Sequence, residues 1–233
     1  MTRVLVPVEV LEGKTVSPGL MNLLGTVDVT VLGYHVLPEQ TPPDQARLQY
    51  EDRALDALED LSEEFRTAGG AADYRLAFTH DREQTLKRIA DEIDARAIGI
   101  SGMTGDVDRI LVSLSGDVTA DRILAFVEEL VGDRDIGVTL FSATEADATE
   151  GQLDSAAERL RTAGIDVRTE LATDGAPFGA LMNAAPGHDA IVLGENAPSI
   201  RSLVFGDEAD RVASASVGPV LVVRADETLD GDQ

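Results

Sequence analysis

The sequence predicts an α/β fold of two tandem, open, mainly parallel sheets flanked by helices, and three observations predict it. Short apolar runs of strand length alternate with longer amphipathic segments along the 233 residues, the order of crossover units in a parallel sheet. Aromatic residues make up only 4% and tryptophan is absent, so the core has to come from Val, Leu, Ile and Ala, as buried parallel strands provide. The chain also repeats itself. Arg-Thr-Ala-Gly stands at 66–69 and again at 161–164, each time between a helical pattern and a strand-like run.

Met1 to Glu9, with the run TRVLVPVE, is apolar, closed by an acid, and reads as the first strand. The stretch after it holds Leu-Glu-Gly-Lys-Thr at 11–15, which matches the end of a P-loop, but Val8 stands where that motif needs its upstream glycine. Ser17-Pro18 starts a short helix through Leu24, since proline suits the first helical position. Asp28 to Pro38 is a second strand, apolar enough to be buried on both faces. Pro42-Pro43 opens a long helix to Ala68, with Leu48, Leu55, Leu58, Leu61 and Phe65 near one face, and Gly69-Gly70 ends it. A strand at Ala72 to His80, a helix at Asp81 to Ala95 with Leu86, Ile89, Ala90 and Ile93 inward, and a strand at Ala97 to Ser101 complete a first unit.

At Asp108 the pattern restarts, because DRILVSLSGD resembles TRVLVPVE. Helices are expected at Ala120 to Val131, Asp154 to Thr162 and Phe178 to Ala184, and strands at Gly137 to Ala143, Val167 to Ala172 and Ala190 to Leu193. A turn at Gly194 leads to a helix with Val204, Ala209, Val212 and Ala213 on one face, and then to a last strand at Val220 to Val223. Such a crossover sets backbone N–H groups where an anion can sit. The expected units are 1–106, cut short after its fourth strand, and 107–225, more complete; 226–233 reads as a disordered acidic tail.

Composition narrows the function classes. The net charge is −24, the pI is near 4.2, and Lys14 and Lys87 are the only lysines. Acid spread along the whole chain suits a cytoplasm of molar salt, where the Debye length falls to about 3 Å. It argues against nucleic acid, whose phosphates need clustered cations. No run of apolar residues is long enough to span a membrane. The N-terminus runs directly into a strand pattern, so no signal peptide is expected and the protein reads as cytoplasmic. Without cysteine there is neither a disulfide nor a thiolate metal site. His35, His80 and His188 have no ligand spacing, His188 falls in a Pro-Gly-His-Asp turn, and Ser113, Ser115 and Gly116 do not form a hydrolase elbow. No catalytic residue or metal ligand is assigned.

This order of elements, with its glycines, resembles the universal stress protein family, of the adenine-nucleotide alpha hydrolase-like type, over nearly the whole chain. That family carries Gly-x2-Gly-x9-Gly followed by Ser or Thr after its fourth strand, and many members bind ATP with it. Here Gly194 supplies the first glycine, Ala197 stands in the second place, eight residues separate Ala197 from Gly206, and Asp207 replaces the hydroxyl residue. A carboxylate at Asp207 repels a polyphosphate, and the methyl of Ala197 obstructs close backbone approach. In the first unit Gly102 and Gly105 satisfy Gly-x2-Gly, yet the following helix and strand are missing, and a turn uses glycine for backbone reasons alone. The family's acid at the end of the first strand, which faces adenosine, is matched by Glu9 in the first unit and by Ser115 in the second. Neither unit carries a whole site.

The resemblance therefore implies a non-enzymatic stress-type protein with a degenerate nucleotide site, acting by association with itself or with a partner such as a transporter. The alternative it implies is an ATP or AMP binder with Mg²⁺ and at most slow ATP hydrolysis. Its site would use Glu9, Gly102, Gly105, Ser115, Gly194, Asn196, Ala197, Ser199, Gly206 and Asp207, with Asn196 and Ser199 donating to phosphate and Mg²⁺ offsetting Asp207. In the family the last strand often pairs with its counterpart in a second subunit. One such strand, Val220 to Val223, implies either a homodimer or an internal pseudo-dimer.

Overall fold

The computed structural model describes residues 2–114, 120–143, 150–172, 176–195 and 218–225. Its first half runs β1 (Arg3–Glu9), a 3-10 turn (Val10–Glu12), α1 (Pro18–Leu23), β2 (Asp28–Val36), α2 (Pro43–Thr67), β3 (Ala71–Thr79), α3 (Arg82–Glu92) and β4 (Ala97–Ile100). Its second half runs β5 (Arg109–Ser113), α4 (Ala120–Val131), β6 (Gly137–Ala143), α5 (Glu150–Thr162), β7 (Val167–Ala172), α6 (Pro177–Ala184), β8 (Ala190–Gly194) and β9 (Val220–Val223). The expected class is observed. The two expected sheets, however, are joined into one of nine strands, ordered β3-β2-β1-β4-β9-β8-β5-β6-β7.

The join has a simple cause. The first half stops at β4, which leaves the outer edge of that strand bare, and an open edge is a row of unpaired N–H and C=O groups. β9 fills it, lying parallel to β8 and antiparallel to β4, with Ala97 opposite Val223 and Ile100 opposite Val220. Every other neighbouring pair is parallel. The last strand thus borders the first half of its own chain.

Side chains alternate between the two faces of the sheet. Val4, Val6, Val29 and Val112 lie on the face that packs with Leu58, Phe65, Phe126 and Leu160, under α1, α2, α4 and α5. Leu5, Leu32, Leu111 and Val222 lie on the other face, with Leu86, Ile89 and Leu181 of α3 and α6. Each layer continues across both halves. One inward assignment fails: Leu48 is 91% exposed. It stands two residues, roughly 200° of helix, from the buried Ala46, so the first turns of α2 bury alanine and turn leucine outward.

The repeated tetrapeptide has a physical reason. Thr67 and Thr162 each donate to a carbonyl one turn back, Glu63 at 2.9 Å and Glu158 at 2.8 Å. Gly69 and Gly164 take positive φ, +102° and +87°, to end the helix. Arg66 and Arg161 each donate to the first part of the edge strand that follows, at the Ala72 carbonyl (2.9 Å) and the Val167 carbonyl (3.2 Å). The motif stops a helix and ties it to a sheet edge, in each half.

Arginines also close the seam between halves. Arg134, just after α4, donates to the carbonyls of Asn22 (2.6 Å) and Leu23 (2.9 Å) at the end of α1, and to Leu130 of its own helix. Thr26 returns the exchange by donating to the Leu130 carbonyl at 3.0 Å. One guanidinium so satisfies the open carbonyl ends of two helices and opposes both dipoles. Arg224, buried at the end of β9, donates to the Ala95 carbonyl (3.1 Å) and to Asp91, both in the first half.

Candidate functional site

In an open parallel sheet the ligand position is the crevice beyond the carboxyl ends of the strands. Here a cavity of about 590 Å³ opens beyond β1 and β4, lined by Glu9, Lys14, Ser17, Tyr34, Arg82, Ser101 and Gly102 among others. Glu9 ends β1, as expected. The chain then makes its 3-10 turn, reverses at Gly13 (φ +68°) and brings Lys14 back onto it. The Lys14 ammonium lies 2.6 Å from Glu9 and 3.2 Å from Glu12. Ser17 caps α1 by accepting from the Leu20 N–H at 3.3 Å, while its own N–H donates to the Ser101 hydroxyl at 2.9 Å. That bond ties the loop after β1 to the end of β4. The Arg82 guanidinium stands 5.4 Å above the Tyr34 ring, in reach of its π face, and Met103 stands at the rim, 79% exposed.

Lys14 sets the local electrostatics. Its hydrogen bond to Glu9 raises its pKa from the ordinary 10.5, against the pull of burial, with Glu12 helping. Its hydrogen bond and charge in turn lower Glu12 from the ordinary 4.5. A raised lysine pKa contributes stability that is present below the ordinary lysine value and lost as pH rises through the folded one. A lowered carboxylate contributes stability that is present above its ordinary value and lost as pH falls through the folded one. Lys14→Met should therefore flatten the alkaline loss and return the Glu12 carboxyl, followed by NMR titration, toward 4.5. An unmoved Glu12 would contradict the pairing.

The glycines of the β4 turn are occupied by packing. A Cβ on Gly102 would come inside 3.0 Å of the Gly218 carbonyl carbon and oxygen, and a Cβ on Gly19 inside 3.0 Å of the Gly105 oxygen and the Thr104 methyl. Gly102 is needed where the chain enters β9, and the Gly105 carbonyl is covered by α1. From Gly105 the chain goes directly to β5, so no helix N-terminus faces the cavity from that turn.

Gly194 ends β8 in the second half, and since β9 is antiparallel to β4 and parallel to β8, it lies at the opposite end of the strands from Glu9 and Gly102. The structure thus brings Glu9 and Gly102 together, sets Gly105 on the same turn, and keeps Gly194 apart. After Gly194, Glu195 donates its N–H to the Val223 carbonyl (2.7 Å) and accepts from the Ala225 N–H (3.1 Å). Ser115, Asn196, Ala197, Ser199, Gly206 and Asp207 lie outside the described residues, as do the expected helix at 204–213 and the tail.

Sequence reasoning missed Lys14, Tyr34, Arg82 and Ser101 as cavity residues. Only Lys14 gave a signal, as one of two lysines five residues from Glu9. The histidines hold structure. His188 bonds the Ala184 carbonyl through Nδ1 (2.9 Å) and the Thr139 hydroxyl through Nε2 (2.8 Å). His80 bonds the Thr41 carbonyl at 3.1 Å, and His35 packs edge-on to Tyr50 and Phe78. Among the described residues no group of three or more His, Asp or Glu could hold a metal ion.

No family model and no curated protein matches the sequence. Solved structures do match along almost the whole chain. A universal stress protein from Archaeoglobus fulgidus superposes with a TM-score of 0.64 at 17% identity, covering 96% of this chain and 96% of that one. The fold is that of a universal stress protein. A protein of unknown function from Pseudomonas aeruginosa follows at a TM-score of 0.51 and 14% identity, covering 97% of this chain and 93% of that one. The cytoplasmic domain of a prokaryotic cation chloride cotransporter follows at 0.50 and 13%, covering 96% and 95%. Among the described residues of this universal-stress fold no helix is long and apolar enough to cross a membrane.

Proposed function

We propose that this chain is a non-enzymatic universal-stress-type protein whose nucleotide site is degenerate and which acts by association with itself or a partner. The observation that carries the reading is the contact of Gly102 with Gly218. The backbone that would cradle phosphate beside β4 is spent on the entry to β9, and the crossover that would add helix N–H groups is replaced by a direct passage to β5. Glu9, the acid that matches the family's adenosine contact, is bridged by Lys14. The two units, taken as 1–106 and 107–225, thus form an internal pair at the expense of the first site.

Calorimetric titration with ATP, ADP and AMP, with Mg²⁺ and in molar KCl, tests this. The expected result is no saturable heat from a sample shown to be folded by circular dichroism. Saturable heat that Lys14→Met or Glu9→Gln alters would overturn it and turn attention to hydrolysis. One observation favours that second reading of an ATP or AMP binder: the cavity volume lies within the range of small-ligand pockets, about 300–1,000 Å³. The likeness to a cotransporter's cytoplasmic domain makes a membrane transporter the first partner to try, although fold alone is a weak guide to function.

A further inference from the structure

We propose that β7 is an interface on which a second copy of this chain pairs, edge to edge and antiparallel, about a two-fold axis at Thr169. The inference rests on the association half of the reading above and names its partner.

β3 and β7 are the two outer strands of the sheet, and they differ in how they are guarded. Parallel pairing of β7 to β6, with the Val138 N–H on the Asp166 carbonyl, turns the backbone groups of Val167, Thr169 and Leu171 away from the sheet. Arg161 takes the outward carbonyl of Val167, and the backbone groups of Thr169, at the centre, stay open among the described residues. On β3, whose outward carbonyls are those of Ala72, Tyr74, Leu76 and Phe78, the corresponding arginine takes Ala72 and Arg75 donates to Tyr74 at 3.4 Å. The first two outward carbonyls of β3 are thus taken, against one on β7.

The residues of β7 complement themselves. In an antiparallel pair centred on Thr169, Arg168 stands opposite Glu170 of the second copy and Glu170 opposite its Arg168, on one face. On the other face threonine meets threonine, and Leu171, which is 38% exposed, stands opposite Val167, which is itself buried in the core at 7%. Opposite charges, apolar pairs and threonine pairs are the cross-strand combinations that stabilise a sheet, and an isologous interface requires such self-complementarity. With Thr169 opposite Tyr74, pairing β7 with β3 of another copy sets Glu170 against Asp73 and Arg168 against Arg75, like charges in both places. Pairing of β7 with itself uses the same strand on both copies and so closes at two. With a net charge of −24 on each copy, long-range repulsion opposes pairing in dilute salt, and molar salt removes it while contact pairs persist.

Sedimentation equilibrium in molar KCl tests the proposal, with circular dichroism as the control for folding. The wild type should dimerise, and more tightly as KCl rises. Arg168→Glu and Glu170→Arg should each weaken association by about tenfold or more, and the double variant Arg168→Glu with Glu170→Arg, which restores the opposite pairs, should recover it. A folded wild type that stays monomeric at every salt concentration would overturn the proposal, as would a dimer that neither single reversal weakens. Because the nucleotide titration is a separate readout, failure of the edge pairing leaves the site reading to be judged on its own.

Discussion

Gly218→Ala should lower the stability of this protein more than any other single methyl added to it. Gly218 sits at φ +95°, and a Cβ there would come inside 3.0 Å of the Asp189 oxygen. Asp189 cannot retreat freely, because its carboxylate accepts from the N–H groups of Asp108 (2.9 Å) and Arg109 (3.0 Å) at the start of β5. The substitution therefore combines a backbone conformation that side chains rarely adopt with overpacking against fixed backbone, and should cost about 3 kcal/mol. For a chain of this length that is a fall of roughly 10 °C in melting temperature. Gly102→Ala, which presses on Gly218 from the other side, should act in the same direction. A melting temperature within a degree or so of wild type for Gly218→Ala would mean that β9 enters the sheet differently.

Arg224→Met should come next, and it tests the seam from the other end of β9. Arg224 is 7% exposed. It reaches Asp91 and the Ala95 carbonyl in the first half, and its guanidinium lies 3.9 Å from Glu195 in the second. Its own carbonyl accepts from Arg122 at 2.6 Å. Methionine keeps most of the volume but leaves Asp91 without its cation and Ala95 without its donor. Removing one partner of a buried pair costs about 3–5 kcal/mol, and the partial exposure of Asp91 sets the expectation near 3 kcal/mol by chemical denaturation. Asp91→Asn in the Arg224→Met background should then cost little more, since the interaction is already gone. Fully additive effects of the two changes would show that Arg224 and Asp91 are not coupled.

The sequence made most elements of this fold legible because the apolar runs are dense and sharply bounded. α4, β6, β7 and β9 begin and end where periodicity places them. The Arg-Thr-Ala-Gly repeat pointed to the right symmetry, although its reason, a helix stop tied to a sheet edge, needs coordinates. The joining of two sheets into one was open from sequence, because a four-residue apolar strand carries no mark of the neighbour it will choose. Leu48 misled because an average over a helix of 25 residues hides a local turn in which Ala46 takes the inward place. The cavity was half legible. Glu9 follows from position at a strand end, and the doubt about Gly102 and Gly105 as a phosphate cradle came from the missing crossover. Tyr34 and Arg82 meet from elements far apart in the chain, and no spacing rule connects them.

The claim at the centre of this account is that β9 is a permanent join between the halves, made at the expense of the nucleotide site beside β4. Native-state hydrogen exchange of the Val220–Val223 amides, with and without ATP and Mg²⁺, tests it most directly. The account predicts that these amides exchange only with global unfolding, together with those of β4, and that nucleotide leaves them and the Gly102–Gly105 turn unchanged. Exchange of β9 through a low-energy local opening, or added protection at that turn when ATP is present, would contradict it.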